Sequence, residues 1–345
     1  MRRIATIFTL LPFALVAALA VGLAIAGRLS THDAVSNASP TATQTAIAVV
    51  PSTSAAPSPA ASAAATAAST TPSPTQSATP TATPSPTPSA AASTLANDAK
   101  EMLRVQNELR AAVGAPAVRS DERVTLAAQR HAEYLAQNNA LGHDETPGAP
   151  GFSGVFVRDR LAAQGYDDAN ASEVATSFSS GTEGVRSLWV LPYHRLGLMH
   201  PHAVVAGWGH AEVAGRRVTV GVLVYDFAAP APDRVRAPAP DQRVAGTYSG
   251  EEIPDVLPAG ASRPVGYPIM VIYSSARAVD FRGARITDAA GRDFAYHVVP
   301  QLYERDYVAV IPASPLVPGT RYRVHLELTV AGADMVEEWE FDAER

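Results

Sequence analysis

A long uncharged run divides this chain into parts that must fold separately. From Ala34 to Asn97 there is no Asp, Glu, Lys or Arg, and from Pro51 to Thr94 every residue except Gln76 is Ala, Ser, Thr or Pro. Without large apolar residues, a segment cannot bury enough surface to offset the entropy of ordering it. We therefore predict a disordered linker over 30–94, extended where prolines are frequent.

The segment before the linker has the pattern of an export leader. Arg2 and Arg3 precede the uncharged apolar run 4–26, as in secreted proteins. Ala26 at its end suits cleavage, but about 23 residues would also span a bilayer. We predict that 1–29 is a signal peptide or an apolar membrane-anchoring helix. Either one places the rest at the cell surface or outside the cell, and an uncleaved helix would make the membrane a partner.

Composition excludes several classes of function. The chain of 345 residues has 27 basic and 33 acidic residues, a net charge of −6 and no cysteine. A nucleic-acid-binding protein would carry a basic patch, so no nucleic-acid partner is expected. Without cysteine there is no disulfide framework, thiolate nucleophile or cysteine-ligated zinc. The linker and leader leave about 250 residues, enough for two cores.

The first folded region, 95–228, combines helices with a short sheet. Helical periodicity and end signals predict four helices. They are expected from Leu95 to Gly114, after an N-cap at Ser120, and over about 156–164 and 182–191. Alternation over 218–225 predicts a half-buried strand, with 203–209 as its partner. This order predicts an α+β layered domain.

Three polar residues in this region are candidates for a shared site. His143 follows the second predicted helix, Glu173 lies in a predicted loop, and His194 follows the fourth predicted helix. Two imidazoles and a carboxylate can hold a divalent metal such as zinc and leave a position for water. Without metal, they could transfer protons, with Glu173 as the catalytic base. The alternative is three unrelated loop side chains.

An ordered series of residues gives this region a family resemblance. The series is Asn107, Arg110, Leu126-Ala127, His131, Gly142-His143, Arg160, Gly165-Tyr166, Glu173, Trp189, Tyr193-His194-Arg195 and Tyr225-Asp226-Phe227. It resembles the bacterial branch of the CAP superfamily, the SCP-like secreted domains. The resemblance implies an α-β-α sandwich with a cleft in which His143 and His194 are the histidines and Glu173 is the acid.

The chain departs from the family pattern near two of these residues. The family commonly has Gly-Glu-Asn around the cleft acid, whereas this chain has Ser172-Glu173-Val174. Many eukaryotic members carry a second cleft glutamate just after the helix tryptophan, whereas Val190 and Leu191 follow Trp189 here. The resemblance therefore predicts a cleft that lacks one acid, which weakens the prediction of catalysis.

Other polar residues have a simpler interpretation. His131 lies inside a predicted helix beside apolar residues, so a packed, hydrogen-bonded histidine is expected. Arg160 is expected to brace loop carbonyls or an acid. His200, His202 and His210 lie around Pro201 and could suggest a metal site, but the His-Pro-His stretch 200–202 is predicted to be a solvated loop.

The second folded region is predicted to be all-β. Residues 229–262 have the Pro-rich composition of a connector, and short alternating runs follow over 263–345. The stretch from Pro312 to Tyr322, with Trp339-Glu340-Phe341, resembles bacterial Ig-like domains of cell-surface proteins. That resemblance implies a β-sandwich acting as a spacer or adhesion module.

Two functions remain open on the sequence alone. The first is a surface or secreted binding protein whose cleft takes a small-molecule or cell-envelope ligand, such as a lipid, glycan or peptide. A divalent metal between His143 and His194 is a candidate cofactor. The second is a secreted hydrolase in which that metal, or Glu173 with a histidine, activates water. The missing second glutamate favours the first.

Overall fold

A computed structural model describes residues 90–345 except 168, 178, 179, 251, 276 and 277. The predicted leader 1–29 and residues 30–89 of the predicted linker lie outside the described residues. All described residues belong to one unit by their contacts. Within this part of the chain, no helix is both long and apolar enough to cross a bilayer.

The described residues form five helices, one more than the sequence predicts for the first folded region. They are α1 Ala90–Ala112, α2 Glu122–Gln137, α3 Val157–Ala162, α4 Gly181–Val190 and α5 Pro192–Met199. The N-cap of α2 is Asp121 rather than the predicted Ser120, and its side chain accepts from the Arg123 backbone N–H. The unpredicted α5 begins at Pro192, where the missing N–H of proline costs nothing.

The first sheet has four strands in the order β1-β3-β4-β2. The strands are β1 Arg119–Ser120, β2 Asn170–Thr176, β3 Ala203–Val213 and β4 Arg216–Tyr225. The prediction of a half-buried strand over 218–225 is wrong, because residues 218–224 of β4 are all buried. This strand is central, and both faces of the sheet are covered.

Helices cover the two faces of this sheet. On one face, Val124 and Leu135 of α2 share a core with Val205 and Val220. On the other face, Val105 of α1 and residues of α4 and α5 share a core with Trp208 and Leu223. The predicted α+β fold is therefore observed as an α-β-α arrangement.

Two glycines of β3 allow α2 to lie directly on the sheet. A Cβ atom at Gly207 would come within 2.4 Å of the Thr125 backbone nitrogen, and one at Gly209 within 2.4 Å of the Gln129 backbone. Such distances are impossible for real atoms, so only glycine fits at these positions. This close approach fixes the helix that carries His131.

The C-terminal region is β-rich, as predicted. Its strands are β5 Arg234–Ala237, β6 Arg243–Val244, β7 Ile269–Tyr273, β8 Val279–Asp288, β9 Asp293–Phe294, β10 Tyr296–Val298, β11 Tyr307–Pro312, β12 Arg321–Val330 and β13 Ala333–Ala343. They form two sheets, β10-β11-β7-β5 and β6-β13-β12-β8-β9. The expected connector 229–262 thus contributes β5 and β6. The assignment to the Ig-like class stays a prediction.

The sheet that contains β7 and β11 is buried on both faces. Ile269 and Val271 point into a core shared with the other C-terminal sheet. Met270 and Ile272 point into the core that contains Trp189 and residues of α5. The C-terminal region and the α-β-α region therefore share a continuous apolar core.

Hydrogen bonds also join the two regions, and the segment after α5 makes two of them. His200 Nε2 lies 3.0 Å from Asp306 Oδ2, and His202 Nε2 lies 3.0 Å from the Ser274 carbonyl oxygen. The prediction that His200, Pro201 and His202 form a solvated loop is wrong. Both histidines are buried, because the C-terminal region covers them.

We predict that Gly209→Ala lowers the free energy of unfolding by about 1–3 kcal/mol, because the added methyl group would displace α2 from the sheet. Urea denaturation monitored by circular dichroism measures the change. The matched control is Gly283→Ala on β8, where a Cβ atom would meet only Glu327 Oε2 at 3.6 Å. Equal stability of Gly209→Ala and the wild type would contradict the close packing described.

Candidate functional site

The first half of the site is the pair formed by His143 and Glu173. His143 lies in the loop between α2 and α3, and its Nδ1 is 3.1 Å from Glu173 Oε1. The prediction that Glu173 lies in a loop is wrong, because it is in the middle of β2. The Glu173 side chain is 2% exposed, whereas that of His143 is 51% exposed. The strand therefore holds the acid inside and the imidazole at the surface.

Glu173 belongs to a buried cluster of four charged groups. Its Oε1 is 3.2 Å from His131 Nε2, and its Oε2 accepts a 2.7 Å hydrogen bond from Arg160 Nη2. His131 Nδ1 is 2.9 Å from Glu145 Oε1. Since both ring nitrogens of His131 face carboxylates, both must donate, and the ring is an imidazolium. The positive charges of His131 and Arg160 then balance the negative charges of Glu173 and Glu145.

These contacts shift the pKa values of the cluster. Burial alone would raise the pKa of Glu173, but hydrogen bonds from His131 and His143 and the charge of Arg160 lower the pKa to about 2. Burial and the charge of Arg160 would lower the pKa of His131, but the hydrogen bonds to Glu173 and Glu145 and the negative charge of Glu173 outweigh them, and the pKa is raised. Glu173 is thus an ionised carboxylate and a weak base. Its contact with Nδ1 of His143 orients that ring.

The brace predicted at Arg160 is observed. This buried guanidinium donates to the carbonyl oxygens of His143, Gly154 and Val155 at 3.0 to 3.1 Å, in addition to Glu173. It therefore ties the loop that carries His143 to the strand that carries Glu173. His131 is packed and hydrogen-bonded as expected, but its contact with Glu173 also makes it a support of the site.

The second half of the site is His194 with an acid that sequence reasoning missed. His194 lies in the first turn of α5, and its Nδ1 is 2.5 Å from Glu252 Oε1. The Glu252 side chain is fully buried. The two partners are 58 positions apart, so neither a local motif nor periodicity links them. The only sequence signal is the acid pair Glu251-Glu252 in a Pro-rich stretch.

The structure brings His143, Glu173 and His194 together. The ring centroids of His143 and His194 are 6.5 Å apart, with an angle of 44° between the rings. Each ring uses Nδ1 toward a carboxylate. In the described part of the chain, no residue forms a hydrogen bond with the Nε2 atom of either ring. The two Nε2 atoms are therefore the groups that the protein offers to a ligand.

A cavity of about 430 Å³ contains both rings. The polar lining residues include Ser172, Glu173, Glu304 and Asp306 besides the histidines. The large apolar lining residues include Tyr193, Leu196, Tyr225, Phe227, Ile253 and Tyr303. The volume lies in the range of small-ligand pockets, which are mostly apolar with a few polar groups.

The C-terminal region forms one wall of this cavity. Tyr303, Glu304 and Asp306 come from the segment before β11, and Ile253 comes from the stretch between β6 and β7. Tyr303 packs edge-on against Tyr193 of α5, with ring centroids 5.3 Å apart. The expected spacer module therefore also lines the candidate site, which nothing in its sequence indicates.

The donor set fits a metal ion only in part. Among residues 90–345 as described, no group of three or more His, Asp or Glu side chains is arranged to hold a metal. Catalytic zinc sites use three protein ligands and structural sites four. His143 and His194 supply two imidazoles, so a bound ligand would have to complete the coordination.

Comparison with known proteins agrees with the α-β-α region. Residues 103–225 match the model of the cysteine-rich secretory protein family, CAP, which supports the predicted CAP-like domain in that segment. No curated protein matches the chain. The Glu252 segment lies beyond the matched residues.

Three solved structures illustrate the likeness. An outer surface protein of Borrelia burgdorferi is 17% identical, with 37% of this chain and 92% of that chain covered and a TM-score of 0.32. An extracellular SCP-domain protein of Bacillus anthracis is 16% identical, with 41% and 45% covered and a TM-score of 0.33. A cysteine-rich secretory protein of Staphylococcus aureus is 16% identical, with 38% and 40% covered and a TM-score of 0.29.

We predict that stability is greatest between about pH 4.5 and 6.5. Glu173 has a lowered pKa, so its contribution is complete above its ordinary value of 4.5 and is lost as pH falls toward 2. His131 has a raised pKa, so its contribution is complete below its ordinary value of 6.5 and is lost as pH rises through the folded-state pKa. Urea denaturation across the pH range measures the loss of stability at acidic pH and the loss at alkaline pH.

The variant His131→Gln tests whether His131 causes the loss of stability at alkaline pH. It leaves two buried carboxylates without the imidazolium, so we expect a loss of about 3–5 kcal/mol near pH 6 and no further His131-dependent loss at alkaline pH. His325→Gln, on the partly exposed face of β12, is the control. An unchanged pH profile in His131→Gln would refute the charged cluster.

Proposed function

We propose that this is an exported cell-surface or secreted protein whose cleft binds a small amphipathic ligand with a hydroxyl or amine head. The observation that carries the proposal is one cavity that is lined both by the imidazoles of His143 and His194 and by aromatic and aliphatic side chains. Lipids, glycans and peptides all include such ligands. Export is proposed from the basic and apolar leader over 1–29.

The polar part of the cavity favours a head that donates hydrogen bonds. An imidazole that donates from Nδ1 to a carboxylate keeps its Nε2 lone pair for a donor, unless it takes up a second proton. His143 and His194 both have this arrangement. The charge of Glu173 is balanced by Arg160 and His131, but Glu304 and Asp306 also line the cavity, and no Lys or Arg is among its described lining residues. These two carboxylates disfavour an anionic head.

The apolar part favours a hydrophobic body. Phe227, Ile253 and Tyr303 line the cavity, yet they are 59%, 84% and 61% exposed. Large exposed apolar side chains grouped in one place commonly mark a binding site. A ligand with an apolar chain would remove this surface from water, at about 25 cal/mol per Å².

The hydrolase alternative gains no support from Glu173. Both of its oxygens are engaged by His131, His143 and Arg160, and its lowered pKa makes it a poor general base at neutral pH. A divalent metal remains a second occupant of the two Nε2 atoms. Stoichiometric zinc binding by calorimetry, lost in His143→Ala, would support that occupant.

The test compares three ligands with the same chain and different heads: decanol, decylamine and decanoate. Isothermal titration calorimetry on the purified protein is expected to show decanol and decylamine binding at least about tenfold more tightly than decanoate. His143→Ala and His194→Ala should each weaken that binding by about tenfold or more, and His325→Ala should not. Binding of none of the three, or binding indifferent to both cleft variants, would overturn the proposal.

A further inference from the structure

The acid that holds His194 comes from outside the CAP domain. Residues 103–225 match that family, and Glu252 lies in the stretch between β6 and β7 of the C-terminal region. After Trp189, where many eukaryotic members of the resembled family carry a second cleft glutamate, the chain has Val190 and Leu191. The carboxylate at His194 comes instead from a later segment.

One oxygen of Glu252 makes two contacts with His194. Its Oε1 accepts a 2.9 Å hydrogen bond from the His194 backbone N–H and lies 2.5 Å from His194 Nδ1. An ionised carboxylate can only accept, so Nδ1 must carry the proton. The tautomer with a lone pair on Nε2 is thereby fixed, unless the ring gains a second proton.

Glu252 also accepts a hydrogen bond from the first turn of α5. The first backbone N–H groups of a helix have no partner within the helix, and they attract negative charge. Leu191, the N-cap of α5, has no side-chain hydrogen bond to offer, and Pro192 follows it. Glu252 therefore caps the N-terminus of α5 from a distant segment, and the same carboxylate oxygen orients the imidazole of His194.

The segment after Glu252 is held against the cleft as well. Ile253, the next residue, lines the cavity. Tyr193, the residue before His194, donates a 3.0 Å hydrogen bond to the Pro300 carbonyl oxygen. Arg195, the residue after it, donates a 2.8 Å hydrogen bond to the Pro268 carbonyl oxygen. Contacts on both sides of His194 thus fix α5 relative to the C-terminal region.

We propose that Glu252 is a positioning and specificity-determining residue, which holds His194 with its Nε2 lone pair facing the cavity and so selects ligands whose heads donate hydrogen bonds. The cleft is then built from two regions, and the CAP domain alone does not complete it. The selection of ligands rests on the proposed function, whereas the orientation of His194 by Glu252 is independent of it.

The first test is spectroscopic and needs no ligand. Long-range ¹H–¹⁵N correlation spectra of the full chain at neutral pH, with His194 assigned by His194→Gln, report which ring nitrogen carries the proton. We expect a single Nδ1–H form in the wild type. Glu252→Gln retains an acceptor oxygen and should retain this form, whereas Glu252→Ala should lose it. An Nε2–H form in the wild type, or an unchanged form in folded Glu252→Ala, would overturn the proposal.

The second test uses the same ten-carbon probes by calorimetry. Glu252→Ala should reduce the preference for decylamine and decanol over decanoate by about tenfold or more. The control is Glu327→Ala, which removes an exposed carboxylate that does not line the cavity. If the wild type binds no probe but shows the Nδ1–H form, the proposed function fails and the positioning role stands. If Glu252→Ala does not fold, the ring nitrogen that carries the proton in the wild type and in Glu252→Gln still shows whether Glu252 positions His194.

Discussion

A buried carboxylate determines how this site is built. Glu173 is removed from water in the middle of β2, where an unpartnered charge would be very costly. Arg160 and His131 meet that cost, and each comes from a different helix. The remaining contact of Glu173 goes to His143, whose ring faces the cavity. The position of this surface imidazole thus depends on a charge balance in the interior.

The other imidazole depends on packing between two regions. Strands β7 and β11 are apolar on both faces, because one face completes a β core and the other lies against the core that contains α5 residues. That shared core brings Glu252 to the first turn of α5. The two histidines thus have the same local chemistry, an Nδ1–carboxylate contact, but they owe it to different parts of the fold. Supporting carboxylates of this kind commonly fix the tautomer of a functional histidine.

Much of the α-β-α region follows from the sequence, and so does the grouping of His143, Glu173 and His194. Local patterns failed where tertiary contacts decide. Strand β2 is short and rich in small polar residues, so its sequence resembles a loop, and its pairing with β4 makes it a strand. The fourth predicted helix ends near residue 191, and α5 begins directly after it at Pro192 without a side-chain N-cap to mark its start. Glu252 carried no local signal, because its partner is 58 positions away and the fold alone joins them.

A crystal structure of the full chain with decylamine bound would show whether the two histidines form the ligand site. We expect the amine nitrogen within hydrogen-bond distance of the Nε2 atoms of His143 and His194, with the alkyl chain along Tyr193, Ile253 and Tyr303. We also expect Glu252 to contact His194 Nδ1. A ligand bound elsewhere, or a His194 ring turned away from both Glu252 and the cavity, would contradict these expectations.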